Sequence, residues 1–95
     1  MYSKVYWISC EEGKKDIMMD WYDNNIVSVV KASDKHVGHH MVEAGENKWL
    51  LVSNYVDADA AEAAVPMVQE LVKPMIEQAG MTLEVITQGE VTHSY

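Results

Sequence analysis

Three of the four histidines fall within five residues, in the run HVGHH at 36–40. Histidine changes charge near neutral pH, so such a run raises three chemistries: a metal site, proton transfer, or a pH-sensitive contact. The backbone beneath decides between them. On a helix, His36, His39 and His40 would share a face and could chelate one ion. On a strand, His36 and His40 lie about 13 Å apart and His39 points the other way. The flanking residues favour a strand and no other ligand cluster accompanies them, so no metal is expected. Two readings remain for the histidines. They are half-buried at a dimer interface or sheet end, or one of them, His40, lines a pocket as a hydrogen-bonding group or general base.

The elements that position these residues follow from hydrophobic periodicity. SKVYWIS (3–9) is rich in β-branched and aromatic residues and ends at CEEGKK, which predicts a first strand. From Lys14 to Lys31 the pattern is helical, with Ile17, Met18, Trp21, Tyr22, Ile26, Val29 and Val30 on one broad face. Asn25 falls near the middle of that face. Such an amide either bonds to backbone at a kink or faces a cavity and orients a ligand.

HVGHHMVEAGENKWLLVSNYV predicts a hairpin turning at Gly-Glu-Asn. The simplest register sets Glu43 opposite Lys48, Val42 opposite Trp49, His40 opposite Leu51, Gly38 opposite Ser53 and His36 opposite Tyr55. One face then collects Gly38, His40, Trp49 and Tyr55, with Gly38 leaving room for a ligand. Residues 57–80 predict a second helix capped by Asp57 or Asp59, interrupted near Val65, restarting with Pro66 in its first turn and ending at Gly80. MTLEVITQGEV supplies a fourth strand. The order β-α-β-β-α-β is that of an α+β, ferredoxin-like domain over residues 1–95. Its four-stranded antiparallel sheet carries two helices on one face, and the apolar residues on the other predict pairing with a second copy.

Composition narrows the function. Fifteen carboxylates against seven lysines and no arginine give a net charge of −8. That argues against nucleic acid, which needs clustered cations, and against a guanidinium clamp on phosphate. The expected ligand is small and apolar or aromatic. Cys10 stands alone, so neither a disulfide framework nor a cysteine zinc site is expected. No apolar run approaches a membrane span and the N-terminus has no signal-peptide pattern, so a cytoplasmic protein without a membrane partner is expected.

On the segments HVGHHMVEAG and WLLVSNYVDADAAEAA, with Tyr55 at the aromatic end of the third strand, the chain resembles the dimeric α+β barrel superfamily. Within it, the chain is most similar to antibiotic biosynthesis monooxygenase-like domains. The resemblance implies two protomers packed sheet against sheet, in a superfamily of oxygenases, isomerases, dismutases and proteins without known activity. Where many of these relatives carry a histidine early in the second helix, this chain has Ala64. Three functions follow as expectations, none with a cofactor. The first is a homodimer binding a small hydrophobic molecule between sheet and helices, through Tyr22, Asn25, Gly38, Trp49 and Tyr55. The second is a cofactor-independent monooxygenase or isomerase with His40 as base. The third is a non-catalytic interaction module with a closed core.

Overall fold

The computed structural model describes residues 1–95. β1 (Tyr2–Ser9) alternates as a half-covered strand must, with Tyr6 and Ile8 buried and Val5 and Trp7 half-buried on the opposite side. It lies inside an antiparallel sheet of order β2-β3-β1-β4, between β3 (Lys48–Tyr55) and β4 (Thr82–Glu90), while β2 (His36–Gly45) forms the edge beyond β3. The helices cover one face of this sheet. The chain is therefore α+β and ferredoxin-like, as its sequence predicts.

The first helical rod differs from the expected regular helix. α1 (Lys15–Trp21) passes into a π-helical turn, Tyr22–Ile26, and then into α2 (Val27–Ala32). In the wide turn the Val27 amide donates to the Tyr22 carbonyl. One extra residue is absorbed there, and the helical phase shifts with it. Ile26 is buried, whereas Asn25 is turned out to solvent and its Nδ2 donates to the Trp21 carbonyl at 3.1 Å. Asn25 thus supports the irregular backbone and does not reach the space beneath the helix.

The second rod follows expectation closely. Asp57 caps α3 (Ala58–Ala63), its Oδ1 accepting from the Ala60 amide at 2.7 Å. α4 (Val65–Ala79) begins with a proline in its first turn, runs through Pro74, and ends on Gly80 in the left-handed conformation, φ 58°. Small residues let this rod approach the sheet, with Ala61, Ala64 and Ala79 buried. The core they close contains Tyr6, Ile8, Met18, Trp49, Leu51, Met75 and Met81.

The β2–β3 register corrects the simple hairpin. Glu43 stands opposite Trp49, Met41 opposite Leu51 and His39 opposite Ser53, whereas His36 does face Tyr55. Two irregularities cause this, one skipping Val37 and one skipping Ala44. Each inserts a residue that the partner strand does not match, so between them every side chain is moved to the other face. The expected Glu43–Lys48 pair is absent. Glu43 instead binds Lys15 Nζ at 2.7 Å, and Lys48 Nζ lies 4.4 Å from the Trp7 ring centre. Gly38 belongs to the first bulge, with φ 150°. A Cβ there would meet only Asn54 Nδ2 at 3.5 Å, an ordinary contact. The glycine serves the backbone conformation and not an emptied space. Gly38→Ala is expected to destabilise the protein by about 1–3 kcal/mol; an unchanged urea midpoint would show that the bulge tolerates a side chain.

Candidate functional site

The helices do not fill the space above the sheet. A cavity of about 60 Å³ lies between them, with Tyr6, Ile8, Leu51, Ser53 and Tyr55 below and Trp21, Tyr22, Ile26 and α4 around it. Five methionines line it: Met18, Met41, Met67, Met75 and Met81. Unbranched thioethers change rotamer at little cost, so this wall can adjust its shape. The cavity is smaller than the roughly 150 Å³ that holds benzene in an engineered core. A ring-sized guest therefore enters only as the methionines repack.

Polar groups gather at one end. The Tyr22 hydroxyl and His39 Nδ1 are 3.1 Å apart. The His36 ring lies 6.1 Å from that of His39 and 4.6 Å from that of Tyr55, and its Nδ1 is 3.0 Å from Ser33 Oγ. Burial, and then the neighbouring His36 and His40, push His39 down to about 4. Burial, and then Asp23, push the Tyr22 phenol up to about 12. Near neutral pH both groups are uncharged. Whichever tautomer His39 adopts, one O–H or N–H is shared between them and the other imidazole nitrogen keeps the complementary role. An imidazole so reluctant to accept a proton orients a polar group better than it abstracts one.

The structure brings together only part of the expected set. Tyr22 and Tyr55 line the cavity. Trp49 faces the helices but is buried as core beside Ile8 and Met18. Asn25 and Gly38 lie outside for the reasons given above. His40 pairs with Val52, is exposed, and stands on the uncovered face. His39 occupies the place that the unbulged register assigned to His40. His39 and Met41 were thus missed, His36 and Ser53 lay on the expected face without being singled out, and Gly38 beside a β-branched residue was the one trace of the bulge in the sequence. No group of three or more His, Cys, Asp or Glu side chains is arranged to hold a metal ion. No helix is long and apolar enough to cross a membrane.

By sequence, the chain matches no protein-family profile and no curated relative. By structure it matches several proteins over its whole length. A proposed antibiotic biosynthesis monooxygenase from Deinococcus radiodurans superimposes with a TM-score of 0.81 at 13% identity, covering 100% of this chain and 96% of that one. The chain has the antibiotic biosynthesis monooxygenase-like, ferredoxin-like fold. A dimeric ferredoxin-like protein from an uncultured marine organism shares that fold at a TM-score of 0.75 and 9% identity, over 100% and 98% of the two chains. The haem-degrader MhuD from Mycobacterium tuberculosis, with two haems in its active site, does so at 0.70 and 17%, over 100% and 99%. At such identities the monooxygenase-like fold is what is shared, and the cavity must be read from its own residues.

His39 is held neutral by burial, so its folded-state affinity for protons lies below its unfolded value of 6.5. The unfolded chain binds the proton more readily, and the contribution is complete above pH 6.5 and lost as pH falls toward 4. Comparing urea midpoints of the wild type and His39→Gln from pH 7.5 to 4 should show a shallower acid loss in the variant. Parallel curves would mean that His39 titrates normally.

Proposed function

We propose that the chain binds a small apolar or aromatic molecule carrying one hydrogen-bonding group, in the cavity between sheet and helices. The observation that carries this reading is an otherwise apolar, methionine-lined cavity ending in the uncharged Tyr22–His39 pair. Burying an ion against such walls is costly, whereas an uncharged donor or acceptor needs one partner, which Tyr22, His39 and Ser53 supply. The acidic surface is consistent with a ligand that is not strongly anionic.

The binding protein is read as a homodimer. The uncovered sheet face carries Val5, Trp7, Val42, Leu50 and Val52, a contiguous apolar surface of the kind that is covered in stable proteins. A second copy placed face to face would cover it, and His40 would then stand at the subunit boundary. The dimeric marine protein of the same fold supports this arrangement.

A second reading, turnover of the bound molecule by a cofactor-independent oxygenase or isomerase, is favoured by the monooxygenase assignment of the Deinococcus protein. It is opposed by the low proton affinity of His39. The two separate in one experiment. Indole, titrated by calorimetry, is expected to bind wild type, to lose about tenfold in affinity with His39→Phe as one hydrogen bond is removed, and to be excluded by Ser53→Leu. Unaltered affinity in both variants would remove the cavity from the function. Retained affinity in His39→Gln together with lost turnover of a candidate substrate would establish catalysis instead. For assembly, Trp7→Glu with Leu50→Glu should convert a dimer to monomer in sedimentation; a wild-type monomer would overturn the pairing.

A further inference from the structure

Alternation along the central strand β1 places Lys4 in line with Tyr6 and Ile8, on the face that the helices cover. A lysine there is out of keeping with its neighbours, and it is half-buried. The ion pairs of the chain are Lys15–Glu43, Lys35–Asp34 and Lys73–Glu70, so no carboxylate of the protein neutralises Lys4. Beside it lies a second cavity of about 160 Å³, whose walls include Tyr55, Val65, Leu83 and Val85 and whose other polar side chain outside the tyrosines is Gln69. Tyr6, Tyr55, Val68 and Leu83 also line the first cavity, so the two lie back to back with these side chains between them.

We propose that this second cavity binds a small monocarboxylate whose apolar body is about one ring in size, the carboxylate at Lys4 Nζ and the Gln69 amide. The volume matches the roughly 150 Å³ that encloses benzene. A half-buried lysine without a carboxylate partner is stabilised by an anion alongside it, and its ammonium offers up to three donors. The carboxamide of Gln69 adds two more. One negative charge suits the site: a single lysine faces it, and the surrounding net charge of −8 repels more highly charged anions. The polar groups here differ from the Tyr22–His39 pair, so this site stands whether or not the first cavity is occupied.

The test titrates phenylacetate, and separately its uncharged counterpart phenylacetamide, into the isotope-labelled full chain and follows side-chain resonances by NMR. The expected result is saturable one-to-one binding of phenylacetate, with shifts centred on the Leu83 and Val85 methyls and the Gln69 amide. Phenylacetamide should bind at least tenfold more weakly. Lys4→Met should weaken phenylacetate at least tenfold and leave phenylacetamide unchanged, while Lys4→Arg retains binding. Should Lys4→Met fail to fold, Val85→Trp, which fills the cavity, must abolish the same shifts. Equal affinity for acid and amide, binding insensitive to Lys4, or no binding at millimolar phenylacetate would each overturn the proposal. Shifts centred on Tyr22 and His39 would overturn it too, and would assign the ligand to the first cavity.

Discussion

Everything at the polar end of the cavity depends on how β2 is threaded beside β3. Side chains on a strand alternate with a period of two, so a shift of one residue exchanges its two faces completely. Two bulges, at Val37 and Ala44, bracket the segment from Gly38 to Glu43 and hold it one step from the straightforward pairing. His39 is thereby carried under the helices and His40 out of them. Met41 joins the core-facing side, and Glu43 is brought to Lys15 at the start of α1. Without the offset the cavity would end in a different histidine and lose its contact with Tyr22.

The chemistry of the site follows from burial in a chain rich in sulfur and poor in cations. Tyr22 and His39 are both kept uncharged by the same lack of water. A buried hydrogen bond between neutral groups fixes orientation without the large desolvation cost of an ion pair. Five thioethers around it give a boundary that follows the shape of a guest. The opposite sheet face has the reverse character, with Lys48 stacked over Trp7 at the rim of an apolar surface open to solvent.

Much of the fold was legible because its signals are local. Asp57 before a small-residue run, a proline restarting the helix and Gly80 closing it each determine backbone conformation within one turn. The order of elements followed from periodicity, and the one-sided covering of the sheet from the ferredoxin-like topology which that order implies. The candidate site was less legible, since it rests on phase. Asn25 fell on the apolar face of an ideal wheel, and the π-helical turn moved it off; His40 fell on the pocket face of an ideal hairpin, and the bulges moved it off. In each case one unmatched residue reversed the assignment, and residue type left only one trace of it, Gly38 at the first bulge. Tyr22 and Tyr55 line the cavity because Tyr22 opens the wide turn, ahead of the residue it absorbs, and Tyr55 faces His36, outside the first bulge. Trp49 was placed on the correct side of β3, but its neighbours Ile8 and Met18 take up the space a ligand would need.

The π-helical turn has a consequence for how this protein can vary. The phase of α1 against α2 is set by the number of residues in the turn from Tyr22 to Ile26, which Asn25 helps to hold through its bond to the Trp21 carbonyl. Loss of a single residue would allow a continuous α-helix and rotate one half of the rod by about 100° against the other. Tyr22 or the Ile26–Val30 ridge would then leave the cavity, whatever amino acids remained. In this stretch of the chain, the count of residues constrains the packing more than their identity does.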